Sequence, residues 1–453
     1  MAIASVNPTT GELVQSFEPH GADFLDERLN RAVERLGNPL PLKERKAALQ
    51  KAADLLDAEI EELARTMALE MGKPLRAARA EVHKCAWVCR YYAENAEQML
   101  ASEPVDVGAE VHASVRFRPL GVILAVMPWN FPLWQVFRFA APALVAGNVA
   151  LLKHAHNVPQ CALAIEKLLL RAGFPEGCFQ TLLIEVDRVA ALIADDRVAA
   201  VTLTGSDRAG SEVAAIAGRH LKKVVLELGG SDPFVVLPSA DLDAAARTAA
   251  LARTVNAGQS CIAAKRFIVH EAVHDAFVSR LVEAMRALKV GDPLDEATDI
   301  GPLATASVRD GVAKQVRESI EKGARVLLGG ERPGFFYPPT VLVDVPEDAP
   351  ARREEVFGPV ATVIRAKDLD DAIRIANDSP FGLGSSVWTK DDGEAERFIE
   401  RVQAGLVFVN AMVASDPRLP FGGVKRSGYG RELGVYGLRE WVNITTVWKA
   451  GAR

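Results

Sequence analysis

Cysteine is scarce in this chain. There are five in 453 residues, Cys85, Cys89, Cys161, Cys178 and Cys261, an odd number without paired metal-ligand spacing. That argues against a disulfide framework and against a bound metal, and it points to reduced thiols and a cytoplasmic location. Long apolar runs are missing as well. The longest, residues 131–146, is interrupted by Pro132, Arg138 and Pro142 and is shorter than the roughly 18 to 20 residues that span a bilayer. It therefore reads as a buried helix and not a membrane anchor. The amino terminus lacks a basic region followed by an apolar one, so no signal peptide is expected. Blocks of like charge are also absent. The formal net charge of −6 comes from interspersed acidic and basic residues, which argues against nucleic acid or an anionic membrane as partner and for a small molecule. Neither an internal repeat nor a low-complexity linker interrupts the sequence.

The length exceeds what one hydrophobic core usually supports, so more than one lobe is expected. Apolar residues at three- and four-residue spacing from Ala48 to Met67 predict one long amphipathic helix closing near Gly72-Lys73-Pro74. Short β-rich runs at residues 121–126, 149–152 and 198–203 are each followed by a helical pattern. Continuous apolar strands alternating with helices predict an α/β fold with a parallel sheet covered on both faces. Residues 111–118 alternate apolar and polar, and Ile444-Thr445-Thr446-Val447-Trp448 is strand-like. These two strands are expected to pair into an arm that docks on another subunit, since an uncovered edge is a liability in a monomer. An ordinary surface hairpin is the alternative.

Chemistry concentrates in two segments. Cys261 ends Asn256-Ala257-Gly258-Gln259-Ser260-Cys261, and it follows Glu227-Leu228-Gly229-Gly230-Ser231, which closes the apolar run Val224-Val225-Leu226. One chain thus offers a thiol nucleophile and a carboxylate base, with two glycines that let backbone approach a ligand closely. The other four cysteines read as packing residues. For nucleotide binding, no Gly-x-Gly-x-x-Gly follows a strand. Instead Thr204-Gly205-Ser206 ends a strand and Gly210 lies in the next helical turn, which permits a pyrophosphate at a helix N-terminus or is a plain strand-to-helix turn.

Seven strings occur in one order: Asn7-Pro8-Thr9-Thr10-Gly11-Glu12, Met127-Pro128-Trp129-Asn130-Phe131-Pro132, Thr204-Gly205-Ser206, Glu227-Leu228-Gly229-Gly230, Gly258-Gln259-Ser260-Cys261, Glu355-Val356-Phe357-Gly358-Pro359 and Pro420-Phe421-Gly422-Gly423. Together they cover nearly the whole chain and resemble the ordered signatures of the aldehyde dehydrogenase superfamily. The resemblance implies NAD(P)-dependent oxidation of an aldehyde to an acid through a thiohemiacetal and a thioester on Cys261. In that scheme Asn130 and the Cys261 backbone N–H stabilise the oxyanion, and Glu227 activates the deacylating water. Read alone, Asn130 is equally a cap for a helix beginning at Phe131-Pro132. The resemblance further implies that Trp129, Gly205 and Ser206 lie at the cofactor phosphates, that Lys153 reaches the adenosine ribose, and that Glu355 and Phe357 hold the nicotinamide ribose. Where NAD-selective members carry an acidic residue three positions after the lysine, this chain has His156, so NADP and NAD are both expected as cofactors. His154 and His156 are read as solvated loop residues and not a metal pair.

Among its relatives the chain looks most like short bacterial succinate-semialdehyde dehydrogenases. Arg138, about two turns past Asn130 and so roughly 12 Å along a helix, matches an arginine that binds the distal carboxylate there, and Ser415 matches a serine that assists. A snorkelling surface arginine is the alternative. A second arginine that many such enzymes carry is replaced by Val255, with Arg253 nearest, which leaves glutarate semialdehyde or aromatic aldehydes open. The expected architecture is a Rossmann-like nucleotide-binding lobe (1–100 and 120–228), an α/β catalytic lobe (229–430) and a β oligomerisation arm (101–119 and 431–453), assembled as a homodimer or dimer of dimers. Two other functional classes are weighed. A non-catalytic binding or structural descendant would have lost Cys261 or Glu227, and a cysteine hydrolase would need an activating histidine that is not recognisable.

Overall fold

The computed structural model describes residues 3–108, 111–330 and 334–450; positions 109–110 of the expected arm and 451–453 of the expected tail lie outside them. Three runs of consecutive apolar residues become neighbouring parallel strands. Val122–Met127 pairs on one side with Val149–His154 and on the other with Val198–Thr204. Phe179–Thr181 extends the first side, and Lys223–Glu227 the second. Because side chains alternate across a strand, Val122 and Leu124 enter one core and Ile123 and Ala125 the other. The first core is closed by helices Ala22–Gly37 and Asp207–Arg219. The second is closed by Leu42–Ala58, Leu75–Met99, Trp134–Val145 and Pro159–Ala172. Strand order reverses between Val122–Met127 and Val198–Thr204, which makes the crevice beyond their carboxyl ends the switch point at which doubly wound sheets bind ligands.

A second sheet has seven strands, parallel except for the edge Arg325–Leu328. Its centre is formed by Asp232–Val236, Ala264–His270 and Gly384–Trp388. Its first strand begins shortly after Glu227, so the chain crosses from one sheet to the other at Gly229-Gly230. The third sheet is the expected pairing of distant strands: Val111–Pro119 lies antiparallel between Val442–Ala450 and Glu103–Val105, leaving Ile444 and Trp448 exposed.

The structure changes two expectations. The single helix from Ala48 to Met67 is two, Leu42–Ala58 and Ile60–Met71, broken at Glu59 (φ −108°, ψ 19°). The apolar stripe runs on across the break, so periodicity does not reveal it. The second helix does end at Gly72, in the left-handed conformation that favours glycine (φ 79°). In addition, Gly428–Tyr429, inside the span expected for the catalytic lobe, adds an antiparallel edge strand to the first sheet by pairing with Glu227 and Leu226.

Candidate active site

The segment before the thiol has unusual backbone. Asn256 (φ 53°), Ala257 (φ 56°) and Gly258 (φ 76°) are consecutive left-handed residues, costly for the first two because each carries a Cβ. Side chains hold the turn in place. Asn256 Nδ2 donates to the Asn130 carbonyl (2.7 Å) and the Gln259 carbonyl (3.1 Å), and Gln259 Nε2 donates to Asn256 O (3.1 Å). Arg253 donates to Gly258 O (2.7 Å). At Gly258 a Cβ would stand 2.3 Å from the backbone of Gly358, so the Cys261 motif and the Glu355 motif touch where neither admits a side chain. Beyond the thiol, the buried Lys265 ammonium donates to the carbonyls of Ser260 (2.9 Å), Cys261 (2.7 Å) and Ala263 (3.1 Å) and pairs with Glu355 (3.4 Å).

Cys261 lines a cavity of about 270 Å³ together with Phe131, Gln135, Arg138, Lys84 and Ser415. Burial pushes its thiol up to about 12, against the pull of Arg138 and Lys265, so it rests protonated. Its backbone N–H has no acceptor among the described residues and is free for an oxyanion. The side chain of Asn130 is buried with Nδ2 donating to Gln259 O (3.0 Å) and Oδ1 accepting from Gln135 (3.0 Å), which leaves one amide hydrogen available. The capping alternative for Asn130 is not what the structure adopts. The helix begins at Trp134, and Glu81 Oε1 accepts from the N–H groups of Leu133 and Trp134 (both 2.9 Å).

Glu227 ends its strand, 2 % exposed, with neither carboxyl oxygen hydrogen-bonded. It faces Gly422, where an added Cβ would lie 2.8 Å from its Oε1, and is not on the cavity wall. Burial first, then the neighbouring Glu432 carboxylate, lifts its pKa well above the ordinary value, against the pull of Arg138 and Arg431.

Arg138 does line the cavity, but its charge is already engaged. The guanidinium forms a buried ion pair with Glu432, reaches Thr204 Oγ1 (3.3 Å) and lies over the Phe421 ring (4.7 Å). The snorkelling alternative is excluded by its 3 % exposure, and the guanidinium on the cavity wall shares its charge with Glu432. Arg253 points into the loop and Val255 onto the cavity, so Arg253 does not stand in for the missing second arginine. Ser415 accepts a hydrogen bond from Lys84 Nζ (2.7 Å).

At the switch point, Trp129 meets Phe357 edge to face (5.8 Å between centroids). Ser206 caps helix Asp207–Arg219 by accepting from Ala209 N (3.3 Å). Lys153 is buried near the end of its strand with no carboxylate paired to it among the described residues, and burial lowers its pKa. An unpaired buried ammonium at the carboxyl end of a strand in a doubly wound sheet suits an anionic or hydroxyl-rich ligand. His156 is half-buried, and burial, then Lys153, depresses its pKa. His154 is not solvated as read: it closes the strand, buried, with Nε2 on Pro132 O (2.8 Å) and Nδ1 accepting from Ala155 N (2.9 Å), and its pKa is down to about 4 because burial disfavours the charged ring. No group of three metal-ligating side chains occurs among the described residues, and no helix there is long and apolar enough to cross a membrane. Sequence reasoning missed Lys84, Glu81, Lys265 and Glu432. Only Lys84 left a trace, sharing one helix face with Ala77, Ala80 and Glu81.

A thiol lines a mostly apolar cavity, and a doubly wound sheet with its switch point adjoins it. The chain matches the aldehyde dehydrogenase family over residues 1–447 and belongs to it. It is 57% identical over 456 residues to a succinate-semialdehyde dehydrogenase [NADP(+)] of Mycolicibacterium paratuberculosis, covering 99% of this chain and 97% of that one. It is 57% identical over 458 residues to one of Mycobacterium tuberculosis, covering 99% and 100%. Among solved structures it is similar to the succinic semialdehyde dehydrogenase from Streptococcus pyogenes in complex with NADP+, with TM-score 0.96 and 37% identity over 99% of this chain and 100% of that one.

Proposed function

We propose that this aldehyde dehydrogenase oxidises succinate semialdehyde to succinate, with NADP or NAD as acceptor. The observation that carries the reading is a single cavity of about 270 Å³ lined by the nucleophile, Cys261, and by three cationic side chains, Arg138, Lys84 and Lys73, the last paired with Glu81. Such a space suits a short aldehyde ending in a carboxylate, and the names of the relatives agree. The Cys261 thiol gives up its proton to solvent, the sulfur attacks the aldehyde carbon, a C–S bond forms, and the carbonyl π pair moves onto oxygen. The free amide hydrogen of Asn130 and the Cys261 N–H stabilise that oxyanion. When bound at Trp129, Lys153, His156, Gly205, Ser206, Glu355 and Phe357, the nicotinamide supplies a two-electron acceptor for the hydride released from this carbon. The thioester left on Cys261 is then hydrolysed: Glu227, in its ionised form, takes a proton from water, the water oxygen bonds to the carbonyl carbon, and the C–S bond breaks with the electron pair left on the Cys261 sulfur. For this the Glu227 carboxyl must turn from Gly422 toward Cys261, a rotation that its lack of hydrogen bonds leaves open.

The lobe division, a nucleotide-binding part (1–100 and 120–228) and a catalytic part (229–430), stands as our reading, with Gly428–Tyr429 crossing it. The exposed apolar residues of the three-stranded sheet support its role as the arm of a homodimer or dimer of dimers, and the five unpaired thiols, four of them buried, support a reducing, cytoplasmic setting. The test is absorbance of reduced cofactor at about 340 nm against a panel of aldehydes, with NAD and NADP separately. Succinate semialdehyde should give the highest kcat/KM, and glutarate semialdehyde or an aromatic aldehyde exceeding it would overturn the substrate assignment.

A further inference from the structure

Lys84 is one of three cations on the cavity wall, and unlike Arg138 and Lys73, which pair with Glu432 and Glu81, it has no counter-ion among the described residues. It lies on helix Leu75–Met99, whose Ala77, Ala80 and Glu81 share its face of the cavity. Its Nζ lies over the Trp134 ring (4.7 Å) and donates to Ser415 Oγ (2.7 Å). The carboxylates nearest to it are engaged elsewhere: Glu81 pairs with Lys73, and Asp416 with Arg418 (2.7 Å). Among the described residues none pairs with Lys84. A largely buried ammonium without a counter-ion is costly, and here it faces a cavity whose other walls are mostly apolar. Since Ser415 Oγ accepts from Lys84, its hydroxyl hydrogen is free to donate, and the remaining ammonium hydrogens are free as well.

We propose that Lys84 and Ser415 together seat the distal carboxylate of the substrate, with Arg138 kept by Glu432 for shaping the wall. The inference rests on the succinate semialdehyde reading above. Lys84 is thus a specificity-determining residue, acting on recognition and not on the reacting carbon. Its pKa is lowered to about 8, by burial first and then by Arg138 from helix Trp134–Val145, against the opposing pull of Cys85 and Glu81 on its own helix and of Asp416. Below that pH it is charged and able to bind a carboxylate; above it the charge is lost.

The experiment measures kcat and KM of wild type, Lys84→Met and Lys84→Arg on succinate semialdehyde and on butanal, from about pH 6.5 to about pH 9.5. The preference of wild type for succinate semialdehyde over butanal should fall roughly ten- to a hundredfold in Lys84→Met, mainly through KM, as expected for one lost charge-assisted contact. It should be largely restored in Lys84→Arg. In wild type the KM for succinate semialdehyde should climb above about pH 8, relative to that for butanal; this climb should vanish in Lys84→Met. If wild type shows no preference for succinate semialdehyde, the substrate reading itself fails. If wild type shows it and Lys84→Met keeps it, the substrate reading stands and the Lys84 seat is wrong. Equal losses on both aldehydes, unrescued by arginine, would mark Lys84 as structural and overturn the proposal.

Discussion

Replacing Arg138 by leucine strands Glu432. In the native structure burial lifts the Glu432 pKa, and the guanidinium pulls it back; Glu227, raised by burial and by Glu432, is stabilised by the same arginine. Removing one partner of a buried ion pair costs about 3–5 kcal/mol while the other stays ionised. The loss is limited by protonation, so it depends on pH. Without Arg138 the folded-state pKa of Glu432 moves further above its unfolded value, and the folded chain holds a proton that the unfolded chain releases. Stability is then fully present below the unfolded pKa and falls by about 1.4 kcal/mol per pH unit as pH rises toward the folded value. Guanidinium denaturation at about pH 6 and about pH 8 should therefore show Arg138→Leu weaker than wild type, with the gap wider at the higher pH. Adding Glu432→Gln to the same chain should recover most of it. A deficit that is independent of pH and not relieved by Glu432→Gln would refute the stranded-carboxylate argument, and equal stability of Arg138→Leu and wild type would remove its premise.

Cys261→Ala should abolish aldehyde oxidation while leaving cofactor affinity, measured by fluorescence titration, nearly unchanged; turnover above a few per cent would refute the nucleophile assignment. Glu227→Gln should still reduce one equivalent of cofactor in a burst and then turn over slowly, because only thioester hydrolysis needs the base; loss of the burst would place Glu227 in an earlier step. Since burial pushes the Cys261 thiol up to about 12 and raises the Glu227 pKa, wild-type turnover on an uncharged aldehyde should rise from neutral toward alkaline pH, and a flat profile would argue against both shifts. Wild type should use NADP at least comparably with NAD, and His156→Glu should weaken NADP selectively; a wild-type preference for NAD beyond about a hundredfold, roughly 2.7 kcal/mol, would mean that another feature controls the choice.

The parallel strands were legible because short runs such as Val122 to Val126 and Val149 to Leu152 are apolar throughout and each is followed by a helical pattern, as a doubly covered sheet requires. The distant pairing of Val111–Pro119 with Val442–Ala450 was legible from alternation at both ends of the chain. Cys261 stood out because its string is chemically improbable as packing. The ion pairs did not stand out. Glu432 and Arg138 are far apart in sequence, and nothing in a linear pattern tells a carboxylate that meets a guanidinium from one that meets water. For the same reason the sequence did not reveal the Glu432 partner of Arg138 or single out Lys84. His154 was misjudged for a related reason: its neighbours resemble a loop, whereas the strand continues through it into the core.

The path of the last part of the chain limits how this protein can be divided. Within one uninterrupted stretch it contributes Ser415 and Phe421 to the cavity, an edge strand to the sheet that carries Glu227, the counter-ion of Arg138, and a strand of the exposed arm. A fragment ending at the crossing between the two sheets would keep the nucleotide crevice but lose the edge strand beside Glu227 and leave Arg138 buried and unpaired. A fragment starting there would carry the thiol without Asn130. Neither half is expected to fold into a usable part, so split-protein complementation at that junction should fail unless both pieces are present from the start. Chain ends are ordinarily where loss is best tolerated; here the carboxyl end acts as a strap laced through each working part, and shortening it past the arm reaches the chemistry at once.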